Sequence, residues 1–210
     1  MKRVLGLIFV LSSLIFSGCG NAAVPGRDYS TLATPQPPLR NDGKIEVLEF
    51  FAYPCSHCHH LTPELNAWGK TLSKDVSLTY VPVVFRASWE PMAYTFYALE
   101  ALGQRAQLHD ALFDAWNVSH VDLYDLNQIS AFVSKRGVDS KKFTDAYNSF
   151  SVKNKVLRSK QMLMSYGVQG TPTLIVDGRY AITGLESRDM IRVLKEVIEQ
   201  VRKERTAKKR

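Results

Sequence analysis

Apolar and polar residues follow two different periods along the chain, and the changes of period predict its secondary structure. Residues 45–53 form an apolar run rich in β-branched and aromatic side chains, which is typical of a buried strand. Residues 76–85 alternate and predict a second strand, whereas apolar side chains recur every three or four positions over residues 55–72. Residues 55–72 are therefore predicted to be helical, with a kink at Pro63, because a proline inside a helix removes a backbone hydrogen bond.

The middle of the chain has helical periodicity only. It predicts four or five helices between residues 91 and 166, interrupted at turn residues such as Gly103 and Gly137. The helical segments are residues 91–102, 106–116, 126–136, 141–148 and 152–166.

Strand signals return after this helical block. Residues 173–176 and 179–182 are β-rich and flank Asp177-Gly178, a pair that favours a tight hairpin turn. An amphipathic helix is then predicted to run to about residue 204, with Ser187 as its N-cap.

The order of these elements predicts an α/β fold. Two strands can pair in parallel only when a crossover connects them, and the helix over residues 55–72 supplies that crossover. Without the helical block the order is that of the thioredoxin fold. We therefore predict a thioredoxin-like domain over residues 41–86 and 167–210, and an inserted all-helical domain over residues 87–166.

The N-terminus has the pattern of an export signal. Lys2-Arg3 precede an apolar stretch over residues 4–16 that is too short to span a membrane. Residues 16–19, Phe-Ser-Gly-Cys, are similar to the lipobox of bacterial lipoproteins, so residues 1–19 are predicted to be a lipoprotein-type signal peptide and Cys19 a lipidated N-terminus. The alternative is cleavage a few residues later, near Ala22, which would remove Cys19.

Composition and charge refine this picture. Residues 20–40 are rich in proline and small residues, which predicts a flexible tether and a short edge strand over residues 29–32. The formal net charge is +7, and part of the excess lies in residues 202–210. No aromatic residues interleave with those charges, and an exported protein rarely meets nucleic acid, so we expect no nucleic-acid partner.

A pair of cysteines, Cys55 and Cys58, follows the first predicted strand directly. A CxxC pair can close a disulfide, bind a metal or attach a haem. Because a helix is predicted to begin at the pair, Cys55 lies where unpaired backbone N–H groups and the helix dipole stabilise a thiolate and lower its pKa. Export also favours a compartment in which disulfides persist. We interpret the pair as a redox site.

Other classes of protein use the same residue types. Cys-Ser-His-Cys-His over residues 55–59 fits the haem-attachment pattern of c-type cytochromes, but a haem site would not explain the preceding strand or the string Gly170-Thr171-Pro172. The two cysteines with His59 or His60 offer ligands for zinc, but no second CxxC or HxxxH completes such a site. We expect no metal and no cofactor.

The chain resembles the DsbA family of exported bacterial thiol:disulfide interchange proteins, part of the thioredoxin superfamily, along nearly all of its mature length. The longest matching strings are VLEFFAYPCSHC over residues 47–58 and GVQGTPTLIVDGRY over residues 167–180. Shorter matches are Asp28-Tyr29 and residues 32–35. The family usually has a proline at the position of Ser56, and it carries an inserted helical domain where the helical block lies here.

The resemblance implies a set of site residues. Cys55 would be the exposed nucleophile and Cys58 the buried resolving thiol, with His57 between them supporting the thiolate. Thr171-Pro172 would be a cis-proline pair opposite the cysteines, with backbone free to pair with a substrate chain. Glu49 would be a buried carboxylate beneath the pair that assists proton transfer at Cys58.

The function implied is that of a periplasmic thiol:disulfide oxidoreductase that donates a Cys55–Cys58 disulfide to reduced or unfolded exported proteins. A quinone-linked membrane protein of the DsbB kind would re-oxidise it. The alternative with the same fold is a disulfide isomerase or reductase, but no N-terminal dimerisation domain favours it, so we expect a monomer. Lipidation at Cys19 would tether the protein to a membrane.

Overall fold

The computed structural model describes residues 22–208 as a five-stranded sheet with seven α-helices and one short 3-10 helix. The strands are β1 (Ser30–Thr31), β2 (Ile45–Phe51), β3 (Val76–Pro82), β4 (Thr173–Val176) and β5 (Tyr180–Thr183). The helices are α1 (Ser56–Lys70), α2 (Glu90–Ala101), α3 (Arg105–Asn117), α4 (Leu126–Ser134), α5 (Ser140–Tyr147), α6 (Phe150–Ser165) and α7 (Ser187–Ala207). The 3-10 helix, Ala87–Trp89, precedes α2.

The sheet has the strand order β1-β5-β4-β2-β3. Strands β2 and β3 pair in parallel through the α1 crossover, and the remaining pairs are antiparallel. Every residue of β2 is buried, because this strand lies inside the sheet and is covered on both faces. β3 is an edge strand. Proline has no backbone N–H to donate, and an edge strand tolerates Pro82 because one of its sides has no neighbouring strand.

Helices α2 to α6 form a block between β3 and β4, as predicted, and the fold is a thioredoxin fold with a helical insertion. Helices α4, α5 and α6 begin at N-cap side chains that accept backbone N–H bonds, namely Asp125, Asp139 and Ser149. One core lies between this block and the sheet. A second lies on the other face, where α1 packs against the apolar side of α7.

Several predicted boundaries differ from the observed ones. β2 ends at Phe51 rather than at residue 53, because the chain turns there so that the backbone N–H of Cys55 donates to the carbonyl of Ala52. β3 ends at Pro82 instead of residue 85. α1 continues through Pro63 as one helix. The prediction of Ser187 as an N-cap is wrong: Glu186 occupies the N-cap with extended backbone, and Ser187 is already helical.

The segment predicted to be a flexible tether is held against the fold over much of its length. Tyr29 is 7% exposed and packs edge-on against Tyr180, with ring centroids 5.7 Å apart, and its hydroxyl donates to Gln200. The backbone N–H of Gln36 donates to the carbonyl of Gly178. Because Tyr29 and Gln36 hold this segment against the fold, any flexible tether is limited to the residues that precede it.

The predicted signal peptide and Cys19 lie outside the described residues. Over residues 22–208, no helix combines the length and the apolar character that crossing a bilayer requires.

Candidate active site

The CxxC pair lies where the chain leaves the sheet and enters α1. Cys55 is the N-cap of this helix and has extended backbone, with φ −102° and ψ 111°. Its sulfur accepts a hydrogen bond of 3.2 Å from the backbone N–H of Cys58. A cysteine in the capping position thus takes the place of the usual Ser or Asp and directs its sulfur toward the unpaired N–H groups of the first turn.

The two thiols, both free in this structure, differ in burial and ionisation. The resemblance implies an exposed Cys55, but this residue is only 9% exposed, and Cys58 is fully buried. The thiol of Cys58 donates to the sulfur of Cys55 and is the largest cause that lowers the pKa of Cys55 to about 6; Thr171, the backbone N–H of Cys58 and the charge of His57 lower it further. Burial, with the nearby negative charges, raises the pKa of Cys58. A thiolate is therefore stable at Cys55 and unstable at Cys58.

Thr171 and Pro172 form the opposite wall of the site. The peptide bond between them is cis, as the resemblance implies, and Pro172 is buried. The sulfur of Cys55 lies 3.3 Å from the carbonyl oxygen of Thr171. The loop is fixed from behind, since the hydroxyl of Thr173 donates to the carbonyl of Gly170 and the hydroxyl of Thr183 donates to that of Pro172.

Glu49 lies in the middle of β2, paired with Tyr80 of β3 on one side and Leu174 of β4 on the other. It is 1% exposed. Burial is the main cause that raises its pKa to about 8, and the negative charge of Cys55 raises it further. At neutral pH this carboxyl group therefore holds a proton close to the two sulfurs.

The three histidines of α1 have different surroundings. His57 is exposed beside the two sulfurs. His59 contacts α3: its Nε2 lies 2.8 Å from an oxygen of Asp114 and its ring stacks on Phe113. His60 is exposed.

A groove of about 280 Å³ runs beside the cis-proline loop. Its other walls come from the start of α7 and from α1, including Leu185, Glu186, Met190, His57 and His60. An extended peptide bound at Thr171 would therefore have an adjacent groove with both apolar and polar walls.

Helix α3 contributes residues that the sequence patterns did not identify. His109 is 3% exposed, and its Nδ1 lies 2.9 Å from the hydroxyl of Tyr53, two residues before Cys55. The side-chain amide of Asn117 donates to the carbonyl of Tyr53. Arg105 lies over the ring of Tyr80. The available signal was weak: one polar residue, His109, within the apolar face formed by Leu108 and Leu112.

The site residues predicted from the sequence therefore come together. The sulfurs of Cys55 and Cys58 lie next to Thr171-Pro172 and Glu49, and His57 lies at the rim of the site. Within residues 22–208, no three His, Cys, Asp or Glu side chains converge as a metal site would require.

Comparison with known proteins identifies the family. A family model described as a DSBA-like thioredoxin domain matches residues 73–194. The thiol:disulfide interchange protein DsbA of Burkholderia cepacia is 38% identical over 184 residues, which cover 86% of each chain.

Solved structures agree with this assignment. The crystal structure of DsbA from Pseudomonas aeruginosa has a TM-score of 0.83 at 32% identity, and the match covers 90% of this chain and 97% of that one. The oxidoreductase DsbA from Xylella fastidiosa has a TM-score of 0.81 at 32% identity, with coverage of 86% and 98%. The chain therefore belongs to the DsbA family and is a thiol:disulfide oxidoreductase.

Proposed function

We propose that the redox-active group of this oxidoreductase is a Cys55–Cys58 disulfide, which the protein donates to reduced exported proteins in the periplasm. The observation that carries this proposal is the difference between the two sulfurs. The Cys55 sulfur accepts the backbone N–H of Cys58 beside the cis-proline loop, and the thiol of Cys58 lowers its pKa to about 6, whereas burial raises the pKa of Cys58. A stable thiolate favours the reduced enzyme and so makes the disulfide oxidising.

The first step is attack on Cys55. A substrate thiolate attacks the sulfur of Cys55, the Cys55–Cys58 bond breaks, and Cys58 leaves with the electron pair. Because a charge on buried Cys58 is unfavourable, it takes a proton, which we assign to Glu49. The mixed disulfide then lies against Thr171, whose backbone pairs with the substrate chain.

The second step releases the product. A second substrate thiolate attacks the substrate sulfur of the mixed disulfide, and Cys55 leaves as a thiolate stabilised by the helix N-terminus and supported by His57. The substrate has lost two electrons and two protons. Cys58 has gained one proton, Cys55 remains ionised, and one proton passes to solvent. Re-oxidation requires an electron acceptor, for which we propose a quinone-linked membrane protein of the DsbB kind.

A titration with glutathione tests the direction of this chemistry. The purified protein is equilibrated with glutathione buffers of increasing reducing power, and the free thiols are counted by alkylation and mass spectrometry. We expect half-reduction under conditions in which ordinary structural disulfides stay oxidised. Cys55→Ser should abolish the oxidation of a reduced unfolded substrate such as reduced ribonuclease A. A disulfide that resists glutathione would assign the protein to reductases or would indicate a structural bridge.

We further propose that the mature protein is a monomer anchored in a membrane through lipidated Cys19. The support is the lipobox-like string and the apolar stretch before it. Wild-type protein should fractionate with membranes, while Cys19→Ala should be soluble or unprocessed, with oxidase activity retained in the purified domain. A natural mature N-terminus at Ala23 or later would contradict the anchor. Sedimentation of the domain should show one chain per particle.

A further inference from the structure

Glu49 is a buried acid without a hydrogen-bonding partner on one of its oxygens. Its Oε1 is buried and accepts no hydrogen bond from any of residues 22–208. In the proposed function this residue gives a proton to Cys58 and must then exist as a carboxylate until it regains one. Since an isolated buried charge is costly, that state requires a positive charge or dipole nearby. The question is which side chain supplies it.

The groups that face Glu49 come from several elements. The start of α1 contributes the two thiols: the negative charge of Cys55 disfavours the carboxylate of Glu49, and the charge of Glu49 in turn disfavours ionisation of Cys58. β4 contributes the apolar Leu174, and β3 contributes Tyr80 directly across the parallel pair. Tyr53, where the chain leaves β2, is also close enough for its ionisation to depend on Glu49. None of these groups is a cation.

The cation comes from the helical insertion. Arg105 is the first residue of α3, and its guanidinium carbon lies 4.6 Å from the centroid of the Tyr80 ring and 5.9 Å from that of Phe96. The charge of Arg105 favours the ionised form of Glu49. Over residues 22–208, Arg105 has no carboxylate within ion-pair distance.

The position of Arg105 is unfavourable for local reasons. A cation in the first turn of a helix opposes the helix dipole, and the N-cap of α3, Gln104, makes no side-chain capping hydrogen bond. Arg105 also lines an open side pocket of about 580 Å³ together with Tyr80, His109 and Asp110. Arg105 thus lies between solvent in this pocket and the tyrosine ring that faces Glu49, an arrangement that the stability of α3 does not explain.

We propose that Arg105 is a positioning residue for the redox reaction, which supplies from the helical insertion the positive charge that stabilises Glu49 as a carboxylate after it has protonated Cys58. The proposal rests on the proton transfer assigned to Glu49 in the proposed function. In that step the O–H bond of Glu49 breaks and the S–H bond of Cys58 forms. The carboxylate then regains a proton from water, which reaches the Arg105 side of the site through the side pocket.

A pH profile tests this role. Oxidised protein is mixed with a small dithiol from pH 5 to pH 9, and each second-order rate constant is divided by the thiolate fraction of the reagent. A pH-dependent limb of this corrected rate constant that is present in wild type and absent in Glu49→Gln reports the ionisation of Glu49. Arg105→Gln should move this limb upward by about one pH unit, because loss of the cation disfavours the carboxylate. Arg105→Lys should leave it near the wild-type position.

The controls separate charge from packing. Arg105→Met keeps an apolar stem over Tyr80 and removes the charge, so it should shift the limb as Arg105→Gln does. If Arg105→Gln does not fold, Arg105→Met takes its place in the test. Arg136 lies 3.5 Å from the centroid of the Phe132 ring, in the same insertion, and Arg136→Gln should not shift the limb.

Two results would overturn the inference, and they are distinguishable. A limb that Glu49→Gln removes but that stays at the same pH in both uncharged Arg105 variants would show that Arg105 does not act on Glu49, and the proposed function would stand. If the wild-type profile had no limb that depends on Glu49, the proton transfer assigned to Glu49 would fail, and the role of Arg105 would fail with it.

Discussion

The sulfur of Cys55 lies 3.3 Å from the carbonyl oxygen of Thr171, although 116 positions separate the two residues in the chain. This contact joins the start of α1 to the cis-proline loop before β4. In the proposed mechanism, a substrate sulfur that attacks Cys55 arrives beside backbone that can pair with the substrate chain. The Cys55 sulfur and the Thr171 backbone form one site because the sheet places both of them at the same end.

The first prediction concerns the two thiols. In reduced protein, thiolate absorbance against pH should show one group titrating near pH 6, because the thiol of Cys58 and the first turn of α1 stabilise the Cys55 thiolate. Cys55→Ala should remove this transition. Cys58→Ala should keep it at a somewhat higher pH, since one donor is lost. The assignment is wrong if the low transition persists in Cys55→Ala.

A second prediction isolates the hydroxyl of Thr171. Thr171→Val has the same shape but lacks the hydroxyl, one of the groups that lower the pKa of Cys55. The pKa measured by thiolate absorbance should therefore rise by about half a unit to one unit. Thr173→Val is the matched control, since that hydroxyl donates to Gly170 rather than to the sulfur. Equal shifts in both variants would indicate a general disturbance of the loop.

A third prediction compares the redox forms. The reduced form should be more stable than the disulfide form at pH 8, because only the reduced form contains the Cys55 thiolate. The folded pKa of Cys55, about 6, lies below its ordinary value of 9.0, so this contribution is complete above pH 9 and is lost as the pH falls through 6. Denaturant midpoints with and without reductant measure the difference.

Glu49 ionises over an overlapping pH range, and its contribution to stability is lost as the pH rises rather than as it falls. The comparison of the two redox forms is therefore repeated in Glu49→Gln. The advantage of the reduced form should again shrink between pH 9 and pH 6. An advantage independent of pH would show that ionised Cys55 is not its source.

The fourth prediction concerns the cost of burying Glu49. Its folded pKa, about 8, lies above its ordinary value of 4.5, so its contribution to stability is complete below pH 4.5 and is lost as the pH rises through 8. Glu49→Gln should therefore stabilise the protein by about 1–3 kcal/mol at pH 8 and change little at pH 4. Urea unfolding at the two pH values measures this; a destabilisation at pH 8 would contradict the buried neutral acid.

The fifth prediction concerns the docked N-terminal segment. Gly178 has φ +63°, and a side chain there would overlap the carbonyl oxygen of Gln36. Gly178→Ala should destabilise the fold by more than the roughly 1–3 kcal/mol expected for backbone strain alone. Gly103→Ala is the control, because Gly103 has φ +69° with open space around it. Equal losses in thermal unfolding would show that residues 23–36 are not held at this position.

Much of the fold could be predicted from the sequence because its signals are local. The buried run of β2, the helix that follows it, the Asp177-Gly178 hairpin and the helical block all depend on periods and turn residues within a few positions. The position of the CxxC pair could likewise be predicted from its neighbours alone, because a strand before it and a helix after it place Cys55 in the N-cap.

Tertiary structure decided what depends on which faces of distant elements meet. No local pattern relates Arg105 to Glu49, His109 to Tyr53 or Asp114 to His59, because α3 contacts the site only after the insertion folds back on the sheet. Nor does proline-rich composition show that Tyr29 is buried against Tyr180. The sequence by itself determined the CxxC pair and the order of the secondary-structure elements. Packing between those elements decided which charges and contacts surround the pair, because electrostatics and burial act through space and not along the chain.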